Sequence, residues 1–107
     1  LSAFANDVEP KLVYAQTVLA CARAGDVFLG ISTSGNSENV VLAAKTAKAV
    51  GVTAIGLTGA TGGKLAEICD ITIRVPATET FMVQEYHLPV YHAICAEVEK
   101  RLFDTDR

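Results

Sequence analysis

Along the chain, short apolar runs alternate with segments whose apolar residues recur every three or four positions. Leu12, Ala15, Leu19 and Ala22 follow the helical interval, which predicts a helix from Leu12 to Ala24 with Pro10 suited to its first turn. Gly25-Asp26 breaks that pattern. Val27 to Ile31 is nearly continuous and apolar, as expected of a strand buried on both faces. The polar run Ser32-Thr33-Ser34-Gly35-Asn36-Ser37 follows, and Asn36 or Ser37 suits a helix N-cap. The next helix is expected to run to about Val50, with Val40, Val41, Ala44, Ala47 and Ala49 available for burial and Gly51 ending it.

Val52 to Leu57 reads as a second buried strand, and Thr58 to Gly63 as a glycine- and threonine-rich surface turn. A helical turn over Lys64 to Ile68 and a strand over Asp70 to Val75, stopped at Pro76, come next. A long helix is expected from Phe81 to Phe103, kinked or strained by Pro89. Strands separated by helices imply the α/β class and a parallel sheet. Three strands are few for an open doubly wound sheet, so a further strand is expected before Leu1, with Leu1 to Ala5 as its end.

Composition narrows the picture. The chain has 107 residues, half of them apolar and 20% charged, which favours one folded domain over 1–107 and argues against disorder. Nine Lys and Arg against 12 Asp and Glu give a net charge of −3, so direct nucleic-acid binding through counterion release is not expected. Apolar stretches reach only about five residues where a membrane helix needs roughly 20. Cys21, Cys69 and Cys95 form no CxxC pair and read as small buried apolar residues in a reducing cytoplasm.

Three segments carry chemistry. The run from Ser32 to Ser37 leaves the carboxyl end of a strand and enters a helix, which is where open α/β sheets bind ligands. Its hydroxyls, with helix N-terminal N–H groups, form a set of neutral donors suited to a phosphate's acceptor oxygens. No Walker lysine follows, so no nucleoside triphosphate is implied, and the absence of GxGxxG disfavours a dinucleotide. In Gln84-Glu85-Tyr86-His87-Leu88-Pro89-Val90-Tyr91-His92, helical spacing places Gln84, His87 or Leu88, and Tyr91 or His92 near one face. Gln84 and His92 would lie about 12 Å apart along one helix, too far to share one zinc ion with bonds near 2 Å. If both serve one ion, they come from two copies of the chain. Asn6-Asp7 is a further candidate, although such pairs also form ordinary turns.

The segments Gly25 to Ser37, Ile55 to Lys64, Asp70 to Pro76 and Gln84-Glu85 to His92 together resemble the sugar isomerase (SIS) domain family. The Gln-Glu-x-His-x4-His spacing resembles its phosphoheptose isomerase branch, over nearly the whole chain and without the N-terminal part. The resemblance implies a three-layer α/β/α sandwich, Rossmann-like or flavodoxin-like, and a homotetramer with active sites between subunits. It implies isomerisation of sedoheptulose 7-phosphate to D-glycero-D-manno-heptose 7-phosphate through an enediol. Ser32, Thr33, Ser34 and Ser37 match phosphate-binding residues, and Asn6 and Asp7 match a pair that contacts substrate. Gln84 matches a residue that touches substrate and zinc, and His92 a zinc ligand that also serves as catalytic acid or base. A metal-binding His and the catalytic Glu are expected upstream of Leu1, so the isolated fragment is expected to be inactive. Phe81 stands where the branch usually carries Asp. The branch also includes a non-catalytic protein that binds the replication initiator, so a sugar-phosphate sensor or adaptor is the alternative.

Overall fold

In a computed structural model, which describes residues 13–103, helices α1 (Val13–Cys21), α2 (Glu38–Ala49), α3 (Gly63–Ile68) and α4 (Thr80–Phe103) alternate with strands β1 (Val27–Ile31), β2 (Thr53–Thr58) and β3 (Ile71–Arg74). Boundaries fall within about three residues of the pattern because glycine and proline punctuate it. After α2, Gly51 at φ +81° lets its own N–H reach the Lys48 carbonyl while Val52 N–H reaches Ala47, closing the helix in a Schellman turn. The three strands form one parallel sheet in the order β1-β2-β3, with Leu29 opposite Ile55 and Leu57 opposite Ile73.

Side-chain alternation divides the core into two faces. On one, Phe28 and Ala54 meet Val41, Ala44 and Ala47 of α2, Leu65 of α3, Val18 of α1 and Ala22 just beyond it. On the other, Leu57 packs with Val75, Ala77 and Val83, and Leu29, Ile73 and Val90 close around them. The result is a three-layer α/β arrangement in which, among the described residues, α4 covers the second face. The expected N-terminal helix and strand ends at Leu12 and Leu1 to Ala5, like Asn6 and Asp7, lie outside the described residues.

Three expectations are corrected. β1 is not buried throughout: it pairs only with β2 among the described residues, leaving Val27 59% and Ile31 42% exposed. Ala49 is exposed whereas Ala43 is buried, since Ala43 and not Ala49 sits on the sheet-facing side of α2. Cys21 and Cys95 are exposed because α1 and α4 are outer helices, and only Cys69 is half-buried. Helix α4 continues through Pro89; the ring and the Glu85 carbonyl it deprives of a donor lie on its exposed side, where water can serve that oxygen.

An ion pair ties α2 to the loop before β3. Asp70 accepts from the Lys48 ammonium and, through Oδ2, from Ala54 N–H at 2.8 Å. The Lys48 hydrogen bond, then that of Ala54, hold the Asp70 carboxyl below its ordinary value of 3.8. Its contribution to stability is therefore complete above that value and is lost as pH falls below it. Asp70→Asn should lower Tm at pH 7, and the gap from wild type should close as pH drops below about 4. A thermal-unfolding series in pH checks this; a gap that ignores pH would remove the ion pair from the account.

Candidate functional site

β1 delivers the serine loop to the carboxyl edge of the sheet, where Ser32 N–H still bonds the Leu57 carbonyl at 3.0 Å. Ser32 is only 4% exposed, and its hydroxyl organises the loop. Oγ accepts from Gly35 N–H at 3.1 Å and from Ser37 N–H at 3.4 Å, and lies 2.8 Å from Ser37 Oγ. Ser37 occupies the N-cap position of α2, but its hydroxyl turns to Ser32 and makes no capping bond. The first turn of α2 thus keeps no side-chain cap from Ser37; Asn39 Oδ1 accepts from Val40 N–H at 2.9 Å instead. Ser34 Oγ accepts from Asn36 N–H at 3.0 Å on the exposed side.

The second loop, expected to be a surface turn, is instead a clasp on the first. Gly59 N–H bonds the Thr33 carbonyl and Leu65 N–H the Gly35 carbonyl, each at 3.0 Å. Lys64 N–H bonds Asn36 Oδ1 at 2.8 Å. Gly35 and Gly63 make this approach possible: a Cβ on Gly35 would sit 2.0 Å from the Gly62 carbonyl oxygen, and one on Gly63 2.4 Å from that of Ser34. The signal available in the sequence was the density of glycines directly after a strand.

The clasped loop forms one wall of a cleft of about 440 Å³, and α4 forms the other. Ile31, Ser32, Thr33 and Ser37 line the first wall; Gln84, His87, Leu88 and Tyr91 line the second. These four recur at i, i+3, i+4 and i+7, one face of a helix. Val83 and His87 are the buried residues of α4, and the packing of Val83 against Leu57 aims this face at the cleft. His87 Nε2 lies 3.0 Å from the Thr58 carbonyl. The Tyr91 phenol is held above the usual tyrosine range, first by its hydrogen bond with Cys95 one turn along. Burial, with Asp70 adding, pushes the Cys69 thiol up, which keeps it unreactive.

Of the residues proposed from sequence, the cleft therefore gathers Ser32, Thr33, Ser37 and Gln84. Ser34 lies on the exposed rim of the loop. His92 is exposed on α4 and is not among the residues lining the cleft. A zinc ion held by Gln84 and His92 of one chain does not fit this geometry, since the two stand about 12 Å apart along an unbroken helix. No three His, Cys, Asp or Glu side chains converge on a metal position among the described residues. His87 and Tyr91 are the contributors that spacing alone left ambiguous.

A parallel α/β sheet with its ligand cleft at the carboxyl ends of the strands, closed by two interlocked loops, defines the class. The SIS domain family model matches residues 1–96, and the chain belongs to that family. It is 47% identical over 103 residues to a phosphoheptose isomerase from Aneurinibacillus thermoaerophilus, covering 96% of this chain and 52% of that one. It is 48% identical over 102 residues to a phosphoheptose isomerase from Rhodospirillum rubrum, covering 95% and 54%. The solved phosphoheptose isomerase from Neisseria gonorrhoeae superposes with a TM-score of 0.83 at 43% identity, over 90% of this chain and 55% of that one. The chain spans about half the length of the curated relatives it matches.

Proposed function

We propose that this chain forms the phosphate-binding part of a ketose–aldose isomerase that converts sedoheptulose 7-phosphate to D-glycero-D-manno-heptose 7-phosphate. The observation that carries the reading is the clasped serine loop facing Gln84 across the cleft, in a chain whose relatives at 47–48% identity are phosphoheptose isomerases. The loop presents hydroxyls and helix N–H groups without a lysine, a neutral donor set for a dianionic phosphate monoester. Phosphate binding there supplies remote binding energy that positions the sugar carbonyl near Gln84.

In the reaction, a base takes the proton from the carbon beside the carbonyl, an enediol forms, and the neighbouring carbon is reprotonated. The base is a carboxylate expected outside the described residues. Thr33 and Ser37 hold the phosphate, Ser34 reaches it from the rim, and Ser32 keeps the loop in shape. Asn6 and Asp7 belong to the same proposal as substrate contacts. His92, exposed and away from this cleft, serves as acid or base in the cleft of another copy. The exposed apolar residues of α4, among them Phe81, Tyr86, Leu88, Leu102 and Phe103, support an oligomer, which we take to be a homotetramer. Zinc belongs to the proposal only as an ion completed by another copy and by residues outside the described ones, and no step is routed through it. No helix among the described residues is long and apolar enough to cross a membrane. Cytoplasmic location is part of the same reading.

The test is an isomerase assay of the full-length protein on sedoheptulose 7-phosphate, with calorimetric binding of inorganic phosphate beside it. Turnover is expected, and Ser37→Ala should weaken phosphate binding about tenfold or more, the range for one hydrogen bond to a charged group. Absence of turnover with binding intact would replace the enzyme by a sugar-phosphate sensor. Unaltered phosphate affinity in the variant would remove the loop from the site.

A further inference from the structure

His87 is the one polar side chain of α4 that is buried, at 5% exposure, and its ring is held in a defined tautomer. Its Nε2 lies 3.0 Å from the Thr58 carbonyl oxygen, which also accepts Val75 N–H at 3.1 Å. A carbonyl cannot donate, so Nε2 carries the hydrogen. In the neutral ring, Nδ1 then bears a lone pair and can only accept. Nδ1 has no partner among the described residues, yet no buried side-chain nitrogen or oxygen there lacks one. Nδ1 therefore keeps access to open space, and the open space that His87 borders is the cleft.

We propose that His87 Nδ1 is a sugar-hydroxyl acceptor that marks the polyol end of the cleft. The inference rests on the reading of the cleft as a heptose phosphate site and adds a residue that separates the sugar from its phosphate. A dianionic phosphate has no hydrogen to give and is repelled by a lone pair, whereas a hydroxyl donates to it. The serine loop, rich in donors, and His87, an acceptor, thus sort the two ends of a polyol phosphate across the cleft. The Thr58 bond fixes this polarity: were the ring free to change tautomer, Nδ1 could donate as readily as accept.

The test uses the full-length protein with two probes, sedoheptulose 7-phosphate and inorganic phosphate. His87→Gln retains a donor able to reach Thr58 but places no acceptor at the Nδ1 position. It should raise the Kd of sedoheptulose 7-phosphate about three- to tenfold, the range of one neutral hydrogen bond, and leave that of phosphate within about twofold. Equal losses for both probes, or none, would overturn the proposal. A second readout is spectroscopic. In 15N-histidine spectra of the full-length protein, the His87 resonances are those that vanish in His87→Gln. His87 should show the Nε2–H tautomer, and its Nδ1 resonance should move on addition of sedoheptulose 7-phosphate but not of phosphate. An Nδ1 resonance unmoved at saturation rejects the contact. Should the wild type bind neither probe, the phosphate reading of the serine loop itself fails and the proposal goes with it; binding of both by wild type with an unchanged His87→Gln rejects His87 alone.

Discussion

Gly35→Ala is expected to destabilise the protein by about 3 kcal/mol or more, and to abolish phosphate binding. Two effects add at this position. Its φ of +74° lies in the left-handed region, which costs a side-chain-bearing residue on the order of 1 kcal/mol or more. The added Cβ would also stand 2.0 Å from the Gly62 carbonyl oxygen and 3.0 Å from Gly63 N, both backbone atoms that no rotamer change can move. The two loops would have to part. That breaks the bonds from Gly59 to Thr33, from Leu65 to Gly35 and from Lys64 to Asn36, which give the serine loop its shape. Gly25→Ala and Gly51→Ala are the controls. Both positions have positive φ, +92° and +81°, but a Cβ at either meets nothing within 4 Å. Each should cost only about 1 kcal/mol, the conformational part alone. Urea unfolding of the three variants, with phosphate titration of each, tests the account. Comparable losses in all three would mean that the clasp carries no energy of its own.

The contrast among these glycines shows how far sequence reasoning reaches. Element positions follow from local chemistry: the apolar run Val27 to Ile31, the Schellman turn at Gly51 and the stop at Pro76 act within a few residues, so pattern captures them. The parallel sheet and the serine loop at its carboxyl edge follow from that order. The clasp does not, because it joins residues about 25 to 30 positions apart through backbone groups whose side chains carry no periodic signal. Nor does the burial of His87 instead of His92. Helical spacing from Gln84 permits either, and the choice is made by Val83 and Val90 docking on Leu57 across the sheet. The exposure of Cys21 and Cys95 was hidden for the same reason: how much of an outer helix is covered depends on what else packs there.

Leu57→Ala and Leu65→Ala should cost similar stability yet affect the cleft differently. Both side chains are fully buried, so each truncation removes apolar burial and leaves a cavity, for roughly 2–5 kcal/mol. Leu65 lies on the α2 and α3 face, among Val41, Ala44, Phe28 and Ile68. Leu57 lies on the opposite face and forms the seat of α4, meeting Val83 directly with Val90 packed around the same cluster. Among the described residues, Val75, Ala77, Leu29 and Ile73 share that cluster around Leu57, and the His87 bond to Thr58 is a further inward anchor. Loss of the Leu57 seat should therefore loosen the wall that carries Gln84, His87 and Tyr91, while loss of Leu65 should leave it in place. Native-state hydrogen exchange distinguishes the two. In Leu57→Ala, amides from Val83 to Tyr91 should exchange faster than the drop in global stability requires, through local opening of α4. In Leu65→Ala they should slow or quicken only in step with the global value. Matching α4 exchange in both variants, at equal global stability, would show that α4 is held by contacts other than Leu57.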